Sequence, residues 1–217
     1  MYYVIYTGAG KENKTEDYIK RMIPGYLYDA CFHPGRKRNI KLGGVWHMCC
    51  DNLIPGYIFL KTGNIEDFYI EIKKNPAHLR ILGKNAEGAG VSFYPLSEPE
   101  VEWLMKLTDF VPRTEPAKPV SSGEFSVQDT MQTEETKTEA DFIRDGKVPV
   151  AEISEVGFDE NDKVVILSGP LKNLEGCIKK INLHKRIAEV EIDFMQRKTV
   201  VYMGIEILGS KNERPNK

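Results

Sequence analysis

Apolar and polar positions alternate in two blocks at the ends of the chain, with a long polar stretch between them. Tyr2 to Thr7 is an aromatic and β-branched run, which predicts a central strand. Gly8-Ala9-Gly10 breaks it. Tyr18, Ile19, Met22 and Ile23 then recur at three-to-four spacing, predicting a helix that stops at Pro24-Gly25. A second strand is predicted over 27–32, ended by His33-Pro34. The polar Gly35-Arg36-Lys37-Arg38 reads as a turn, followed by a hairpin with strands near 39–42 and 45–50 joined through Gly43-Gly44. Pro55-Gly56 turns the chain into Tyr57-Ile58-Phe59-Leu60, a strand whose two aromatics share one face. A helix is expected over 65–74, burying Phe68 and Ile72, then a short strand over 78–83 and a glycine-rich loop. Ser97 is placed to cap a helix carrying Val101, Leu104 and Leu107, with Glu98, Glu100 and Glu102 in its first turns. Residues 1–111 therefore predict an α+β domain, with helices packed on an antiparallel sheet.

Residues 112–155 contain P-R-T-E-P-A-K-P, S-S-G and a Thr/Glu/Gln-rich run. They hold too little apolar surface to offset the entropy of ordering them, so they read as a flexible acidic linker. A weak helix over 136–144 would have only Phe142 and Ile143 as anchors. The period changes again after Asp162. Val164 to Leu167 predicts a strand, Ser168-Gly169-Pro170 a sharp turn, and Leu171 and Leu174 are spaced to fold back over a core. Further strands are predicted over 178–181, 187–194, 199–203 and 205–208. Short strands without helical periodicity predict an all-β, SH3-like barrel over 156–210, followed by a tail at 211–217.

The formal net charge of −2 conceals an asymmetry. From 163 to 211 there are nine Lys/Arg against five Asp/Glu, whereas 112–155 has five against ten. A basic barrel on an acidic tether suits a polyanionic partner better than the total suggests. The chain has 41 % hydrophobic residues, enough for real cores, yet no apolar run long enough to span a bilayer. Cys31, Cys49, Cys50 and Cys177 form no C-x-x-C pair, and reduced thiols in a cytoplasmic protein are expected.

Candidate chemistry is sparse. Gly8-Ala9-Gly10-Lys11 lies between strand and helix, but it lacks the G-x-x-x-x-G-K-[ST] spacing of a phosphate loop, with Glu12 at the hydroxyl position. A tight turn exposing Lys11 is the better account. His33, His47, Cys49 and Cys50 are the candidate metal ligands, but Cys49 and Cys50 face opposite ways on a strand, so only one could join His47 and core packing is the better account; His78 and His184 have no companions of the right type. No nucleophile–base pair or paired carboxylates stand in a recognisable motif. An enzyme, a metal and a cofactor are not expected.

The barrel residues Asp162, Val164, Gly169-Pro170, Glu175-Gly176 and the alternating run 187–194 resemble a KOW domain, the module at the end of NusG transcription elongation factors. Y-V-I-Y-T (3–7), F-H-P (32–34), P-G-Y-I-F (55–59) and P-L-S-E-P-E-V (95–101) are similar to the NusG N-terminal (NGN) domain. The resemblance implies an α+β NGN domain plus a C-terminal all-β SH3-like KOW barrel. It further implies that Tyr57 and Phe59, with Leu79 and Leu82 at the rim, form an apolar patch docking the clamp helices of RNA polymerase. Lys11, Lys14, Arg36, Lys37, Arg38 and Lys41 become candidates for contact with non-template DNA; any of them could equally be a solvated turn residue. Lys172, Lys179, Lys180, Lys185, Arg186, Arg197 and Lys198 become candidates for holding an RNA hairpin in a leader transcript, the plain reading being an ordinary charged surface.

Leu171 and Leu174 stand where ordinary members carry aromatics that help dock Rho or a ribosomal protein, and Phe194-Met195-Gln196-Arg197 replaces a Phe-Gly-Arg loop. These departures point to a specialised paralogue, and the acidic linker with the basic barrel resembles the LoaP group of operon-specific antiterminators. The implied protein is a monomeric, non-enzymatic antitermination factor that has no membrane partner. A housekeeping elongation factor, or a ribosome- or RNA-associated structural protein, would suit the same modules.

Overall fold

The computed structural model describes residues 1–74, 79–87, 90–108 and 149–208. The helix expected over 136–144 and His78 lie outside them. The N-terminal sheet has the order β2 (Ala30–Phe32), β5 (Tyr57–Lys61), β1 (Tyr2–Tyr6), β6 (Arg80–Ile81). β1 and β5 pair antiparallel, with Val4 opposite Phe59 and Tyr6 opposite Tyr57. Because side chains alternate, each strand serves two cores. Tyr3, Ile5, Ile58 and Leu60 face α1 (Glu12–Met22) and α2 (Ile65–Lys73), where Ile19, Phe68 and Ile72 are buried. Tyr2, Val4, Phe32 and Phe59 face the other way, towards α3 (Glu98–Thr108).

The ends of the helices follow their side chains. Asn64 caps α2 by accepting from the Asp67 amide. At α3 the Glu100 carboxylate accepts from both the amide and the hydroxyl of Ser97, at 2.7 Å each, which is the reciprocal half of a capping box. Gly8 and Gly10 both have φ above +80°, which explains the tight turn before α1. Glu12, in that helix's first turn, is buried and accepts from the amide of Gly56. The acid that spoils a phosphate loop therefore pins the turn leading into β5.

Two expectations are corrected. The basic stretch expected as a turn is part of β3 (Gly35–Leu42), which pairs along its whole length with β4 (Val45–Asn52). The strand tolerates these charges because Asp51, two of whose oxygens face Arg36 and Arg38 at 2.7 Å, neutralises them across the ladder. The glycine-rich loop is a hairpin, β7 (Lys84–Glu87) with β8 (Gly90–Phe93).

The C-terminal sheet runs β11 (Val164–Ser168), β10 (Ser154–Phe158), β14 (Arg197–Ile207), β13 (Ile187–Phe194), β12 (Ile178–Asn182). A 3₁₀ segment, Pro170–Cys177, drops Leu171 and Leu174 into its core as expected. The two strands expected over 199–203 and 205–208 are a single strand, β14. Before it, β9 (Val150–Ala151) pairs parallel with β3, so the residues entering the barrel are stitched to the N-terminal domain.

Candidate functional site

The aromatic face of β5 is covered by the other domain. Phe194, at the end of β13, sits 5.3 Å from Tyr57 and 5.9 Å from Phe59, ring centroid to centroid, with Trp103 of α3 at 6.1 Å. Phe59 also stacks on Phe32 at 5.8 Å. Polar contacts frame this plug. The Trp103 indole N–H donates to the Asp193 carbonyl at 3.0 Å, and the Met195 amide donates to Glu100 at 2.5 Å. Glu100 thus uses one oxygen on its own helix cap and the other on the barrel.

The plug is a two-residue turn. Phe194 pairs with Arg197, and the intervening Met195 and Gln196 have φ of 51° and 62°. Both occupy the left-handed region without being glycine or asparagine, which costs the turn stability.

Phe59 is fully buried and Tyr57 half-buried. Beside them lies a cleft of about 940 Å³ between the domains, lined by Tyr6, Tyr57, Leu82, Tyr94, Phe194 and Arg197 among others. Leu82 therefore joins the aromatic face. Leu79 packs instead with the core beneath α1 and α2, away from Tyr57 and Phe59.

Residues 1–105 match the family described as transcription termination factor NusG. This stretch, just under half of the chain, is similar to that family. Over 92 % of both chains, the protein is 24 % identical to the transcription termination/antitermination protein NusG of Halalkalibacterium halodurans. It is 22 % identical to the proteins of that name from Thermus thermophilus and Bacillus subtilis, again over 92 % of each chain. A solved structure titled "Domain interaction in Thermotoga maritima NusG" covers 94 % of this chain and 92 % of its own, at 17 % identity and a TM-score of 0.40. The relatives are transcription factors rather than enzymes, as expected from the sequence.

The basic candidates fall into several groups. Lys11, Lys14 and Lys41 of the N-terminal domain are exposed. Arg36, Lys37 and Arg38 lie along β3 and are engaged. Arg36 donates to Asp51 and to the Tyr202 carbonyl of β14, Arg38 to Asp51, and Lys37 lies 3.2 Å from Glu152. Close approach makes this seam possible: a methyl placed on Gly204 would lie 2.3 Å from the Lys37 carbonyl oxygen and 2.8 Å from the Arg38 Cα.

The barrel cations do not form one cluster. Lys185 and Arg186 precede β13, whereas Arg197 and Lys198 follow it, at the plug end. That strand of eight residues separates them by about 25 Å. Lys179 and Lys180 are exposed on β12, with Lys179 3.1 Å from Glu191, and Lys172 is exposed on the 3₁₀ segment. Lys198 pairs with Asp193 at 2.8 Å.

The thiols are shielded. Burial raises Cys31, and Cys49 and Cys50 less severely. Among the described residues no group of three or more His, Cys, Asp or Glu could hold a metal, and no helix is long and apolar enough to cross a membrane.

Sequence reasoning missed Phe194, Trp103 and Glu100 as contacts across the domains. Their signal was present but ambiguous, because each also satisfies the pattern of its own element.

Proposed function

We propose that the chain is an operon-specific, processive transcription antitermination factor of the cytoplasm. The N-terminal domain docks the clamp of RNA polymerase through Tyr57 and Phe59, with Leu82 at the rim. The barrel takes an RNA hairpin of the leader transcript through its outward lysines. Lys11 and Lys14, exposed on the N-terminal domain, contact non-template DNA.

The observation carrying this reading is the cover over Tyr57 and Phe59. An apolar face whose outer cover is a hairpin tip of the other domain can be exposed at Tyr57 and the rim of Phe59 without unfolding either module. Docking then needs no bond chemistry. The factor shifts the polymerase towards its elongating state by binding that state better. The names of the relatives support a role in transcription, and the excess of cations in the barrel supports RNA.

The test is a transcription assay with purified bacterial polymerase and full-length protein, on templates with and without a hairpin-bearing leader ahead of a terminator. Read-through that requires the leader, and that is lost in Tyr57→Ala, is the expected result. Leader-independent read-through would leave a housekeeping elongation factor. Failure to bind polymerase at all would leave an RNA-associated structural protein.

A further inference from the structure

Closing the two domains brings together cations that the sequence assigns to different surfaces. Lys41 stands opposite Trp46 in the β3–β4 ladder, with its ammonium 5.8 Å from the indole centroid. Arg186 reaches across from the barrel and lays its guanidinium 4.3 Å from the same centroid. Lys185 and His184 are exposed beside it, and Met48, 56 % exposed, flanks Trp46 on the same face of the hairpin. The barrel turn is fixed by its backbone. The Arg186 amide donates to the Leu183 carbonyl, its own carbonyl accepts from Ile205, and the Asn182 side chain accepts from the Lys185 amide. The acid paired with these cations is Glu206, 3.9 Å from Arg186 and half exposed.

We propose that this seam is a composite site for single-stranded RNA, formed by Lys41 and Trp46 of the N-terminal domain with Lys185 and Arg186 of the barrel. A guanidinium stacked on an indole is held flat by the ring quadrupole, while its in-plane N–H groups stay available for phosphate oxygens. Unpaired bases stack on such a platform, and the flanking ammonium groups neutralise the backbone. A duplex has its bases already stacked and cannot use it. The site therefore takes the unpaired nucleotides flanking a stem. It exists only while the domains are closed, because its parts come from both. The inference rests on the reading of the barrel as an RNA-binding module, and adds that the N-terminal domain shares in the capture.

The experiment titrates the full chain into a fluorescein-labelled RNA stem-loop bearing a single-stranded flank, read by anisotropy. Trp46→Ala, Lys41→Ala and Arg186→Gln should each weaken binding about fivefold or more. Gly204→Ala removes no cation, and φ at Gly204 is not in the left-handed region; the three atoms nearest its added methyl all belong to Lys37 and Arg38. It should part the seam, weaken binding similarly and abolish any further effect of Lys41→Ala. Removing the flank should erase the differences among the variants. Unchanged affinity in Trp46→Ala and Lys41→Ala, or equal or tighter binding by Gly204→Ala, would overturn the composite site. Equal binding of a DNA flank of the same sequence would overturn its assignment to RNA. If the unaltered chain binds no RNA, the reading of the barrel itself fails. If it binds and only Lys179→Glu with Lys180→Glu removes binding, the composite site alone fails.

Discussion

Phe194→Ala isolates the contact that joins the two domains. The ring is 4 % exposed and meets Tyr57, Phe59 and Trp103, all in the other domain. Truncating a buried Phe to Ala typically costs about 3–5 kcal/mol. The site borders an open cleft, so water can enter the space left behind, and the lower figure of about 3 kcal/mol applies. This cost falls on the closed arrangement, because an open barrel leaves the same ring in water. At ~1.4 kcal/mol per tenfold, the equilibrium moves towards open by roughly a hundredfold. Trp103 is the natural reporter: it is 7 % exposed when closed and loses both Phe194 and its bond to Asp193 on opening. In a Trp46→Phe background its emission should shift to the red in the alanine variant. Affinity for RNA polymerase should rise by as much as the open fraction grows. If neither emission nor polymerase affinity changes, the ring does not hold the domains together, and the covered-face argument fails with it.

Three further outcomes follow from local chemistry. Replacing Met195 by Asn and Gln196 by Gly relieves two left-handed positions, and should raise the barrel's stability by about 1 kcal/mol in total, read as a higher Tm by calorimetry. Burial works to raise the Glu16 carboxyl, but hydrogen bonds from His33 and Lys20 outweigh it and leave the group below its ordinary 4.5. A lowered folded value means that this stabilisation is present above about pH 4.5 and lost as pH falls through the folded value. Glu16→Gln should therefore cost about 2 kcal/mol at neutral pH in urea unfolding and flatten the acid limb of stability. If the two proteins lose stability in parallel on acidification, the pairing contributes nothing. Cys31 is buried and its thiol raised by that burial, so iodoacetamide at pH 8 should leave it unmodified in the native chain and label it after unfolding, as read by peptide mass spectrometry.

Much of each domain was legible because one period dominates each element. The alternation in 187–194, the three-to-four spacing in α1 and α3, and the Pro-Gly turn before β5 each admit one local answer. Legibility failed where tertiary partners override composition. Arg36, Lys37 and Arg38 look like a solvated turn, yet they form a strand because Asp51 and Glu152 meet them. The docking of the domains left weaker traces. An alternating strand states that Phe194 faces inward, but not whether its ring completes the barrel core or enters another domain. Gly204 held the usable clue. A glycine inside a strand of β-branched and aromatic residues marks a close backbone approach, and the backbone approaching it is β3.

The barrel's two ends carry different consequences for the order of events. The plug end spends Phe194 and the Met195 amide on the N-terminal domain. Lys179 and Lys180, on the outermost strand, β12, stay exposed in the closed chain. Lysines on an edge strand have a use without any ligand, since they discourage strand addition from another molecule. That role accounts for their position but not for the excess of cations in the barrel over the tether. On the proposed function, RNA is captured first, by the closed chain, and the polymerase face is uncovered afterwards. The order is testable. Phe194→Ala should leave the Lys179 and Lys180 contribution to RNA binding intact while raising polymerase affinity. If opening were instead required for these two lysines to act, the same variant would bind the RNA stem more tightly.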